Sequence, residues 1–368
     1  MSSKGILTIS LCMLGPAFVL AQAQAPRLPP PPANPPTPSV QAPNDPGYAA
    51  VIAQCKTPPP ARGGRGGAGG RGGGPAGPPP GPREYKVTEI PGVIAAGQQW
   101  KFIWQEAGNN GDGIVGANDG SLLVAQNDNS KVVKIEPDGK ASTVYSDTMT
   151  GGSLSMNSKG ALFIAQRGLK AAVVQLAPQR KALAATYQGE PLDCIGGVLN
   201  DLTADSKGGV YFTMGGVYYA SPNGTVTKYG DNIGPNGIIL SADEKVLYVT
   251  NGPTLAAFDV QTDGSLTNQR EFTKLEGGGN GDGSTIDSAG RVYVTTNPGV
   301  QVISPEGKYL GIIPTPRGVI SVAFGGKDKK TLFVLARGAT DANGNEVANA
   351  AQVYAVQMIA QGFKGRAK

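Results

Sequence analysis

The sequence of 368 residues contains no histidine. That excludes imidazole as general base, general acid or metal ligand anywhere in the chain. Long apolar runs are also missing beyond the first residues. A short basic start ending at Lys4 leads into an apolar stretch over 6–20 and then the small-x-small pattern Ala21-Gln22-Ala23. The run is too short to span a bilayer and is followed by prolines. It reads as a removed signal over 1–23, with no transmembrane anchor, and places the mature protein in the periplasm or outside the cell. No basic patch for nucleic acid is present in the body of the chain. The net charge of +5 is carried largely by Lys4, Arg27, Lys56, Arg62, Arg65, Arg71 and Arg83, set against the single acid Asp45. The chain beyond Arg83 is therefore near neutral. Cysteine is scarce. Cys12 leaves with the signal, and Cys55 and Cys194 remain as a candidate disulfide, which their spacing alone does not decide.

The abundant residues fall into two textures. From 24 to 83 proline, glycine and arginine dominate, a composition that cannot bury enough apolar surface to offset its ordering entropy and is expected to be a disordered arm. An island at 48–54 carries a short helical pattern. From 84 to 360 short alternating runs of Val, Ile, Leu, Tyr and Phe alternate with Gly, Asn and Asp turns, with no sustained helical period, so the body is all-β. A basic tail over 361–368 closes the chain.

The β region repeats. Five segments share an opening residue, an apolar stretch, a turn eight residues later and a strong strand. They begin at Asp112, Gly152, Asn200, Asn236 and Asp282, with turns at Gly120, Gly160, Gly208, Glu244 and Gly290. A looser sixth copy begins at Gly318 or Ile320. Repeats of this length with about four strands each predict a six-bladed β-propeller. The segment 99–104 precedes the first copy and is placed to supply the outermost strand of the last blade, leaving no edge open.

In a propeller the innermost strand of each blade lines the central channel. If the tight turn closes one end of that strand, the residue eight earlier opens the other end, and the openers form a ring around the axis. Asp112, Asn200, Asn236 and Asp282 would then meet there. Two carboxylates and two amide carbonyls suit one hard divalent cation, calcium before magnesium, and the absence of His ligands argues against zinc. Asp and Asn are also ordinary turn residues before glycine, but turn chemistry gives no reason for all four to share one offset.

The stretch from Leu199-Asn200-Asp201 to Val210-Tyr211-Phe212-Thr213 resembles the Asn-Asp blade of the gluconolactonase, senescence-marker-protein and luciferin-regenerating-enzyme family. Pro235-Asn236-Gly237 with Leu247-Tyr248-Val249 is similar to its Asn-Gly blade, and Asp282-Gly283 with Val292-Tyr293-Val294 to its Asp-Gly blade. The resemblance implies a six-bladed propeller holding one divalent metal, usually calcium, with lactone hydrolysis in many members. It implies Asn200, Asn236 and Asp282 as metal ligands, with Asp282 as the first-choice base. It departs in two places. Asp112 stands where the family has Glu, with Glu106 a nearby substitute at the wrong offset, and Val198 stands where family lactonases often carry Arg. The expected function is a metal-dependent hydrolase of a small-molecule lactone or ester, acting as a monomer. The alternatives are a non-catalytic propeller that binds a small ligand or protein, and one tied to the cell envelope through its arm.

Overall fold

The computed structural model describes residues 39–59, 81–108, 111–277 and 279–368. The signal segment and the arginine-glycine run of the arm lie outside these residues. Six four-stranded antiparallel sheets surround one axis. Blades one to five take their strands consecutively within 111–145, 154–184, 202–229, 235–274 and 284–314. Blade six combines three late strands, Val319–Gly325, Thr331–Thr340 and Glu346–Gln357, with an early one, Lys101–Ala107. The early strand pairs antiparallel with Glu346–Gln357 on the outside of the sheet. The ring is thus closed by the segment that the sequence pointed to, and backbone groups at the seam are paired.

The apolar alternation of each second and third strand is explained by packing between blades. Phe163, Ala165 and Val173 of blade two bury against Leu202, Val210 and Phe212 of blade three. Tyr211 and Tyr219 of blade three share a cluster with Ile238, Leu247 and Val249 of blade four. Blades one and six meet through Ile114, Val124 and Val133 against Phe333, Leu335 and Val353. The turns fall where the repeat predicted them, with left-handed backbone at Gly120, Gly160, Gly208, Glu244 and Gly290. They close the lower ends of the inner strands.

Segments before and after the blades fold back on the propeller. Of the arm, the described part 39–59 lies on the upper face. The Ser39 amide donates to the Asp128 carbonyl at 2.8 Å and the Ala42 amide to the Arg167 carbonyl at 2.6 Å. The island forms a short helix, Tyr48–Ile52, and Cys55 is bonded to Cys194 with 5.7 Å between Cα atoms. Further along, Arg83 donates to the Asn297, Thr315 and Arg317 carbonyls between blades five and six. The two described parts of the arm, 39–59 and 81–83, are therefore fastened to this face, and the rest of it lies outside the described residues.

Residues 361–368, divided off in the sequence as a basic tail, belong instead to the propeller and close its lower end. Ala367 bridges Met156 and Gly362 bridges Asp287, while Phe363 packs beside Val292 and Ile303. Arg366 and Lys368 are both buried. These two find acceptors on the inner strands of blades three and four, while Lys364 stays exposed. Among the described residues no helix is long and apolar enough to cross a membrane.

Candidate functional site

Each ring position is built by a β-bulge where the inner strand opens. In blade three the Asn200 amide donates to the Thr213 carbonyl while the Thr213 amide donates to the Asp201 carbonyl, so two residues face one. Asp282 and Gly283 face Thr295 in the same way, as do Gly152 and Ser153 with Ala165. Register shifts between Gly111 and Ile114 and between Pro235 and Ile238 bracket Asp112 and Asn236. A bulge bends the strand and re-aims the side chain beside the extra residue.

The glycines after the ring residues are required by a close approach between blades, not by turn geometry. A Cβ on Gly113 would lie 2.5 Å from the Gly152 carbonyl oxygen, one on Gly237 2.1 Å from that of Asp282, and one on Gly283 2.8 Å from that of Ile320. None of the three has left-handed backbone. Blade three breaks the pattern with Asp201, whose carboxylate accepts from the amides of Leu202 and Ile238, at 2.9 and 2.8 Å, and from the Ser153 hydroxyl. Thr213 and Thr295 tie neighbouring inner strands, donating to the Asn236 and Ile320 carbonyls.

The structure brings the four ring candidates into one electrostatic cluster. Asn200 Nδ2 donates to Asn236 Oδ1 at 2.8 Å. Asp112 is ion-paired to the Arg167 guanidinium, which also meets the backbone carbonyl and, at 3.4 Å, the Oδ1 of Asn200. Asp282 Oδ2 accepts from Arg337 at 3.3 Å. Burial pushes the Asp282 carboxyl up to about 7, with the Asp112 charge adding to the rise and Arg337 opposing it. Glu106, the alternative to Asp112, is committed elsewhere, to Gln126, Asn129 and Lys131 on blade one.

The two arginines have no counterpart among the residues singled out from the sequence. Arg167 comes from blade two, whose opener is Gly152, and Arg337 from blade six, where Ile320 takes the place of the other openers against blade five. Arg167 follows the second strand of blade two and Arg337 lies in that of blade six. The signal that could have found Arg167 is the pairing of a glycine opener, Gly152, with an arginine just past the second strand of the same blade. The resemblance drew attention to Val198, where an arginine is missing, and not to these two.

Beneath the ring, the Lys368 ammonium donates to Asp201 Oδ2 at 2.6 Å and to the carbonyls of Leu202 and Ile238 at 2.8 and 2.7 Å. The axis thus carries three acids, Asp112, Asp201 and Asp282, and three bases, Arg167, Arg337 and Lys368. Exposure separates the levels. The side chains of Asp282 and Arg337 are 25% and 42% exposed, against 10% and 3% for Asp201 and Lys368.

Residues 111–337 match the SMP-30/Gluconolactonase/LRE-like region. The chain belongs to that family. A lactonase drp35 of Staphylococcus epidermidis is 31% identical over 245 residues, 58% of this chain and 73% of the relative. A gluconolactonase of Zymomonas mobilis is 27% identical over 217 residues, 50% of this chain and 60% of the relative, less than two thirds of its length. Among solved structures, a gluconolactonase from Xanthomonas campestris superposes with a TM-score of 0.62 at 21% identity, covering 77% of this chain and 98% of that one. A calcium-binding regucalcin from Agrobacterium tumefaciens gives 0.57 at 17% identity, covering 70% and 92%. These structures share the fold. The curated relatives support the class of lactonase-like hydrolase for this chain.

A divalent ion of the kind implied by the resemblance would sit at the ring. The donors fit it poorly. Asp112 and Asn200 already hold Arg167, Asn236 Oδ1 faces the Asn200 amide, and Asp282 faces Arg337. Among the described residues no three carboxylate, thiolate or imidazole groups converge closely enough to cage an ion.

Proposed function

We propose that this protein hydrolyses lactones or small esters at the upper mouth of its channel, with Asp282 as general base. The observation that carries the reading is a part-exposed carboxyl pushed up to about 7, beside an exposed guanidinium, in a lactonase-family propeller. A base is most effective when its pKa lies near the working pH, and burial beside Asp112 supplies that shift. Asp282 takes a proton from water as the water oxygen bonds to the ring carbonyl carbon. The carbonyl electron pair moves to oxygen, where the Arg337 guanidinium is placed to meet the negative charge. When the pair returns, the bond to the ring oxygen breaks and Asp282 returns its proton to the departing alkoxide. The product is a hydroxy acid. No step needs imidazole, and none is routed through a metal.

The location proposed with this activity is the periplasm or the cell exterior. A disulfide between Cys55 and Cys194 fits an oxidising compartment and supports that placement. Val198 in place of arginine favours a second reading, a propeller whose upper face binds a small ligand without turning it over. Proton release across a lactone panel separates the two. Hydrolysis by the wild type that disappears in Asp282→Asn supports the enzyme, and silence across the panel with a folded protein leaves the binding reading.

A further inference from the structure

We infer that Arg167 is the resident cation of the ring, occupying by its guanidinium the position at which a propeller of this family would be expected to hold a divalent ion. The inference goes beyond the hydrolase reading and does not depend on it.

Gly152, the opener of blade two, leaves room at the ring for a side chain from elsewhere. A Cβ built there would lie 2.0 Å from Arg167 Cζ and 2.4 Å from its Nε and one terminal nitrogen. The missing side chain is the space through which the arginine crosses to the axis. Once across, Nε donates to the Leu199 carbonyl at 2.7 Å, one terminal nitrogen pairs with Asp112, and the other meets both oxygens of Asn200. All three nitrogens are used, and the side chain is 4% exposed. This is a built seat, with its donors turned toward the oxygen groups that a hard cation would claim.

Charge points the same way. Arginine does not lose its proton in a protein, so the positive charge at this seat is permanent. With Asp112, Asp201 and Asp282 set against Arg167, Arg337 and Lys368, the ionised cluster is already neutral. A divalent ion added to it would leave an excess of two charges in a partly desolvated channel, where unpaired charge is costly. The seat and the ion therefore compete for Asp112 and Asn200. Removing the guanidinium would vacate a site made of one carboxylate and one amide carbonyl, with Asp282 and Asn236 beside it, chemistry that suits calcium.

Calcium itself is the probe, and thermal melting with isothermal titration is the readout. The wild type is expected to melt at the same temperature in millimolar calcium and in chelator. Arg167→Met, which keeps much of the volume and removes the charge, is expected to bind one calcium and to rise by roughly 5 °C or more at about a hundredfold excess over its dissociation constant. Arg167→Lys, which restores a cation, is expected to lose that response. If Arg167→Met folds only in calcium, the inference is supported as well. Stoichiometric calcium binding by the wild type, with an affinity equal to that of Arg167→Met, overturns it. So does a folded Arg167→Met that takes up no calcium.

Discussion

Two adjoining levels of the axial channel carry the same problem and resolve it differently. Acidic side chains cluster at both levels, and at both the chain supplies its own cations. At the lower level Asp201 meets Lys368, brought in by the final residues, and both ammonium and carboxylate are surrounded by inner-strand amides and carbonyls. At the upper level Asp282 meets Arg337 through one long contact, and both remain part-exposed. The lower pair is saturated and structural; the upper pair is under-satisfied and open to a ligand. Among the described residues the channel is closed below, which confines chemistry to the part-exposed upper level, where a perturbed carboxyl marks a candidate functional site.

The largest expected effect falls at the upper level. Asp282→Asn should lower kcat/KM for a hydrolysed lactone by ~10²-fold or more while leaving the melting temperature near that of the wild type, measured by proton release and calorimetry together. A loss of stability equal to that of a core variant would erase the distinction between the two levels. At the lower level the order reverses. Lys368→Met strands a buried carboxylate and should cost about 3–5 kcal/mol in chemical denaturation; a neutral result would mean that Asp201 is satisfied without its partner.

The pH dependence sharpens the comparison. The upper mouth should titrate near neutrality: a base with a value of about 7 is inactive when protonated, so kcat/KM should fall about tenfold per unit below that point and level off above it. A flat profile from about pH 5 to 8 would remove Asp282 from the base role. On the lower face a different amine titrates. Burial holds Lys329 down at about 8 while it donates to the Gly116 carbonyl at 2.6 Å. Its folded value lies below the ordinary lysine value of 10.5. The unfolded chain therefore binds more protons between these limits, and stability should rise as pH goes from about 8 to 10.5. Lys329→Met should abolish that rise, a smaller effect read from denaturation midpoints across the window.

Much of the architecture was legible because it depends on local periodicity. Alternating apolar residues marked the strands, and the constant interval from Asp112 to Gly120 or from Asp282 to Gly290 marked six blades and one ring. The reason for the glycines was not legible, since Gly113 and Gly237 answer to the backbone of the next blade and a turn explanation suits the same letters. The disulfide stayed open for the same reason: a pair 139 residues apart has no local signature.

By itself the sequence determined the blade count, the closing strand, the level of the ring and the exclusion of histidine chemistry. Those depend on residue type and spacing, which act over a few residues. Only the tertiary structure decided which cation answers which acid. Arg167 reaches Asp112 across an empty glycine, and Lys368 reaches Asp201 from 167 residues away. Charge pairing depends on distance in space and on desolvation, and neither is encoded in the order of nearby residues.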